Sequence, residues 1–164
     1  MIAAYDRPGA VRYAHEWAYR RNPAYYDFSA LGGDCTNFAS QCIYAGSGVM
    51  NFTPETGWYY LSSSRRTPAW TGVEFLYRFL VGNKGVGPYA VEVPIEEAMP
   101  GDVLQLTDGT RFYHSPVIVS VGWPARPDTI LVAAHTLDAD NRPLSTYRYA
   151  GVRFLHILGV RRPG

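Results

Sequence analysis

The chain has 164 residues, 47% hydrophobic and 18% charged, which suits one domain with its own core. A net charge of +1 gives no broad electrostatic case for nucleic acid or an anionic membrane, and no apolar run approaches the roughly 18 residues of a membrane span. The two cysteines make no disulfide framework, and their Cys-x6-Cys spacing is not that of a zinc site, so no metal or cofactor is expected. The start, Met1 to Pro8, has no hydrophobic signal core. The expectation is a cytoplasmic protein if Met1 is native, or a domain of a secreted or cell-wall protein if it is excised.

The first predicted helix runs from Asp6 to Arg21. Asp6 can cap it, Pro8 is tolerated in the first turn, and Val11, Ala14, Trp17 and Ala18 form one apolar face. His15 falls on the opposite, exposed side, and Asn22-Pro23 ends the helix. Tyr25, Tyr26 and Phe28 lead through a loop to Gly32-Gly33. The second helix is expected from Cys35 to Ala45, with Gly46 as its left-handed stop. In the long loop that follows, Trp58, Tyr59, Tyr60 and Trp70 read as aromatic cover for the core, with a groove wall as the alternative. Thr71-Gly72-Val73-Glu74 matches a capping box and starts a third helix, with Val73, Leu76, Phe79 and Leu80 inward and Gly82 at the end.

The second half changes to period two and β-branched residues. Strands are predicted at Tyr89–Val93, Asp102–Leu106, His114–Val121, Thr129–His135 and Val152–Leu158. Turns separate them at Pro100-Gly101, Asp108-Gly109, Gly122-Trp123-Pro124 and Asp138-Ala139-Asp140-Asn141. The last of these resembles the opening of a calcium loop but has Pro143 and Tyr149 where Gly and Glu belong, and reads as a turn. Helices followed by strands imply a single α+β domain over 1–164 with an antiparallel sheet.

Cys35 is the residue best placed for chemistry. Gly32-Gly33-Asp34 puts it in the first turn of a helix, where unsatisfied N–H groups and the helix dipole favour a thiolate. The bland alternative is a small core hydrophobe, and Cys42, two turns along the same face, reads as one. A disulfide between them is excluded, since a helix separates them by about 10 Å against a limit of about 7 Å. A cysteine nucleophile needs an imidazole partner and a third group to orient it. His156, between Leu155 and Ile157, reads as structural. His114 and His135 stand equidistant from the centre of a hairpin around Gly122 to Asp128, which brings them together at its open end; two unrelated edge histidines is the alternative. Pro116 removes a strand N–H, so it needs an edge or a bulge. Asp34 reads as a cap, and Asn37 is open between loop anchor and substrate contact.

The run Gly33-Asp34-Cys35-Thr36-Asn37-Phe38-Ala39-Ser40-Gln41-Cys42 resembles the signature of the putative amidase domain family, within the papain-like NlpC/P60 and CHAP superfamily. Tyr5-Asp6-Arg7, Asn22-Pro23, Trp58-Tyr59-Tyr60, Pro100-Gly101-Asp102-Val103-Leu104-Gln105, His114-Ser115 and His135-Thr136 extend the likeness over nearly the whole chain. The resemblance implies a papain-like α+β fold with the Cys35 helix packed on a C-terminal antiparallel sheet. It also implies a Cys35 nucleophile, a His114 base and His135 as the orienting member, with Asp138 the alternative third. The Cys35 N–H and one side chain would form the oxyanion hole, from Tyr25, Tyr26 or Asn22. The implied activity is cleavage of an amide through a thioester, in a peptide or a peptidoglycan stem peptide. A cysteine acyltransferase and a non-catalytic peptide- or cell-wall-binding module are the rival readings. Oligomeric state is not legible.

Overall fold

Asp6 opens helix α1 (Arg7–Trp17) in the computed structural model, which describes residues 1–164; its carboxylate accepts from the Gly9 N–H at 3.0 Å. The helix stops before the expected Arg21, because the Trp17 carbonyl turns to the Arg20 N–H and the His135 ring. Helix α2 (Cys35–Ser47) starts where the sequence predicts but passes through Gly46, and its left-handed stop is Gly48 at φ 71°. Gly46 serves close approach instead. A Cβ there would meet the Tyr5 ring at 2.5 Å and the Asp6 carbonyl at 2.8 Å.

The predicted third helix is two helices, α3 (Pro68–Thr71) and α4 (Val73–Gly82). The capping box does not form: the Thr71 hydroxyl accepts from Arg66 Nε at 3.2 Å, and Glu74 turns to Arg153 at 3.0 Å. Leu76, Phe79 and Leu80 are buried as expected, while Val73 is half-buried. Trp58, Trp70 and Tyr60 are buried core residues, with Trp58 and Trp70 ring centroids 4.6 Å apart.

The strands are β1 (Ile2–Ala3), a small hairpin β2 (Tyr60–Ser62) and β3 (Arg65–Arg66), then β4 (Gly87–Val93), β5 (Val103–Thr107), β6 (Phe112–His114), β7 (Val117–Val121), β8 (Ile130–Ala134), β9 (Ala139–Pro143) and β10 (Gly151–Arg161). Eight of them form one antiparallel sheet in the order β1-β10-β5-β7-β8-β9, with β4 beside β10 and β6 beside β5. Ser115-Pro116 splits the single strand expected at His114–Val121 into β6 and β7, since proline cannot donate to the ladder. The turn expected at Asp138–Asn141 is mostly strand β9, paired to β8.

Alternation along the strands gives the sheet two apolar faces. Val103, Val117, Val119, Ala133, Leu155 and Ile157 pack with Phe38 and Cys42 under the helices, and Leu104, Leu106, Ile118, Val132 and Phe154 gather around Leu144 on the other side. The chain is therefore a mixed α/β fold, a curled antiparallel sheet with four helices.

Candidate active site

Cys35 is the first residue of α2 and lines a cleft of about 370 Å³. Its thiol lies 3.7 Å from the Thr36 hydroxyl and 4.0 Å from the Tyr113 carbonyl. Burial pushes the thiol up from its ordinary value; the Thr36 hydroxyl and the N–H groups of Ser115 and Thr36 pull the other way and are outweighed. The helix start therefore does not produce the lowered thiol that the sequence suggests. Cys42 is fully buried in the core, as expected.

His114 ends β6 opposite Leu106 of β5 and lines the same cleft. Its ring packs against Tyr147, centroids 5.6 Å apart, and neither nitrogen is hydrogen-bonded to a protein group, including the Cys35 thiol. Burial first, and the nearby Arg142 charge second, lower it from 6.5 to about 4. Burial thus disfavours the charged form of both thiol and imidazole.

His135 occupies a different position. Its Nδ1 is 2.6 Å from Asp34 Oδ2, its Nε2 is 2.7 Å from the Trp17 carbonyl, and its ring stacks on Phe38 at 4.0 Å. Both partners are acceptors, so both ring nitrogens are committed and neither is left to orient His114. The hairpin register supplies the reason. Val117 pairs with Ala133 and Ile118 with Val132, a register that would set position 114 against 136 rather than 135. A one-residue offset moves a side chain to the opposite face of a sheet. His135 accordingly lies under the helices, and Thr136 joins His114 in the cleft. Asp138, the alternative third member, forms a two-pronged pair with Arg21 at 3.0 Å.

Asp34 holds the N-cap position of α2 without capping it. Its carboxylate accepts from the Phe28 N–H, the Asn37 amide and His135, and so ties the start of α2 to the preceding loop and the end of β8. None of the four expected oxyanion or substrate side chains lines the cleft. Tyr25 stacks on Trp70, Tyr26 packs on Phe28, Asn22 bonds Tyr13, and Asn37 spans Asp34, the Tyr26 carbonyl and the Trp70 indole. Asn37 is thus a loop anchor. His156 pairs with the buried Asp102, and His15 is an exposed partner of Asp140.

Sequence reading missed two groups. Thr36 bonds Ser115 at 3.1 Å, and Gln105 donates to Ser115 at 3.2 Å and accepts from Arg153, so a buried polar chain fixes the first turn of α2 against the His114 strand. Ser115 directly after His114 was the available signal. Tyr113, Arg142, Tyr147 and Arg148 line the cleft together with Thr136 and Leu137, which both have positive φ, 56° and 57°. These come from loops and strand ends with no motif of their own. A larger groove of about 670 Å³, between Asn51–Thr56 and α4, contains neither cysteine nor histidine.

The family model described as "Putative amidase domain" matches residues 4–158. The "Uncharacterized protein YhbB" of Bacillus subtilis (strain 168) is 39% identical over 143 residues, covering 84% of this chain and 43% of that protein. The chain therefore spans less than half the length of that relative. No solved structure matches it. A match over nearly the whole folded unit, together with the sequence run that opens α2, shows that the chain belongs to the amidase domain family and points to a hydrolase acting on amides.

Proposed function

We propose that the chain is a cysteine amidase or peptidase of papain-like, NlpC/P60-type design. The observation that carries the reading is one cleft holding both the Cys35 thiol, at a helix start, and the His114 imidazole, which no protein group engages in a hydrogen bond. In this reading His114 takes the thiol proton as sulfur attacks the amide carbon. The developing oxyanion faces the Cys35 N–H at the helix start, which has no partner within the helix. Tyr147 is the nearby side-chain donor: its hydroxyl is buried without a hydrogen-bond partner, and the Arg142 guanidinium lies 3.6 Å over the ring face. His114 then protonates the departing amine, and water cleaves the thioester with His114 as base. His135 acts as a positioning residue through Asp34, which anchors the turn carrying Cys35. The substrate class, an amide in a peptide or a cell-wall stem peptide, rests on analogy with NlpC/P60-type enzymes alone.

The upward push on Cys35 favours a second reading, a peptide- or cell-wall-binding module without turnover. Incubation with a library of peptide amides, an acid quench and mass spectrometry separates the two. An acyl group on Cys35, absent in Cys35→Ala and reduced in His114→Ala, supports the amidase; products that appear only with an added amine indicate an acyltransferase. Turnover that survives in a folded Cys35→Ala refutes the nucleophile, and binding without an adduct supports the module.

A further inference from the structure

Ten residues line the Cys35 cleft, and its only formal charges are those of Arg142 and Arg148. The chain carries 14 acidic side chains, yet none reaches the cleft wall, and neither arginine is in a salt bridge. Arg142 is also held in place. Nε donates to the Thr146 hydroxyl at 2.8 Å, Nη2 donates to the Thr146 carbonyl at 3.0 Å, and the guanidinium lies 3.6 Å over Tyr147. That leaves Nη1 without a partner. The Arg148 side chain makes no hydrogen bond, although its backbone carbonyl is fixed by the Tyr113 hydroxyl at 2.7 Å. A guanidinium whose orientation is already set loses little freedom on binding, and its planar fork matches a carboxylate.

We infer that this cleft selects amides bearing a carboxylate beside the scissile carbonyl, with Arg142 and Arg148 as the carboxylate-binding residues. The catalytic meaning of this selection rests on the amidase reading above, whereas the binding does not. A carboxylate is the anion expected beside an amide in a peptide-like chain, and it is small enough to share about 370 Å³ with the reacting group. Its charge would also offset the field of Arg142 at His114, the smaller of the two causes that lower the imidazole, burial being the larger.

The first test compares alkylation of Cys35 in the full chain by iodoacetate and by iodoacetamide. Both replace iodide with sulfur, and only the first is an anion. The expected iodoacetate-to-iodoacetamide rate ratio is about tenfold above that of a free small thiol, from attraction to the two guanidiniums. Arg148→Gln, whose side chain bonds nothing, should lower the ratio without disturbing the fold, and Arg142→Gln should lower it further. A ratio equal to that of the small thiol, unchanged in both variants, overturns the assignment.

If Cys35 reacts with neither reagent, the nucleophile reading fails and a second measurement decides the binding site. His114 resonances of Cys35→Ala are followed by NMR with N-acetylalanine, N-acetylalaninamide or inorganic phosphate. A shift saturating with N-acetylalanine alone, lost in Arg148→Gln, supports the carboxylate site. Equal responses to the acid and its amide, no response, or equal binding of phosphate overturn it.

Discussion

Replacing His114 with glutamine should remove an acid-sensitive part of the stability of this fold. The imidazole is buried beside Tyr147 and Arg142 and is lowered from 6.5 to about 4. Above pH 6.5 it is neutral in both folded and unfolded chains and contributes no pH dependence. Below 6.5 the unfolded chain takes up a proton that the folded chain refuses, so stability falls as the pH drops and levels off near 4. At about 1.4 kcal/mol per tenfold change in proton affinity, the gap amounts to about 3 kcal/mol. For a domain of this size that is on the order of 10 °C in Tm. Urea denaturation of the wild type and His114→Gln at several pH values between 7.5 and 4 isolates the effect, because the other titrating groups are common to both. The wild type should lose about 3 kcal/mol more than the variant over that range. Parallel curves, or an NMR titration of His114 with a midpoint near 6.5, would refute the reasoning. If the amidase reading holds, the acid limb of kcat/KM should likewise fall near 4, and an activated thiolate labelling rapidly well below pH 8 is not expected from a thiol raised by burial.

Three further substitutions test the frame around the site. Gly46→Ala gains about 1 kcal/mol of helix propensity but drives a Cβ into the Tyr5 ring and the Asp6 carbonyl, so thermal denaturation should show a net loss of about 1–3 kcal/mol. Asp34→Asn breaks the buried pair with His135 and should cost about 3–5 kcal/mol; adding His135→Ala should cost much less than in the wild type, and strict additivity in a double-mutant cycle would deny the coupling. Leu137→Gly relieves a left-handed backbone at an exposed residue and should raise stability by up to about 1 kcal/mol, whereas a loss would show that the side chain has an unrecognised contact.

The helix starts at Asp6 and Cys35 were readable because capping and glycine punctuation are local chemistry, and the β-rich second half because period two is local. Helix ends were less legible. Trp17 stops α1 through contact with His135, more than a hundred positions away, and Gly46 continues α2 because Tyr5 needs the space. The strand break at Pro116 was foreshadowed by its missing N–H, whereas β9 was hidden by turn-forming residues that tertiary pairing overrides.

The site divides in the same way. Sequence alone determined that a cysteine opens a helix and that histidines stand at strand ends, since both depend on neighbours in the chain. Only the tertiary structure decided which histidine shares the cleft, because the β7–β8 register and the Ser115-Pro116 break set His114 beside Tyr147 and send His135 to Asp34. It also decided the charge state around Cys35, because burial outweighs the helix start, and it brought Arg142 and Arg148 into a wall that has no linear motif. Spacing along a chain specifies which groups are available; register and burial depend on the whole fold, and they select which groups meet and whether they are charged.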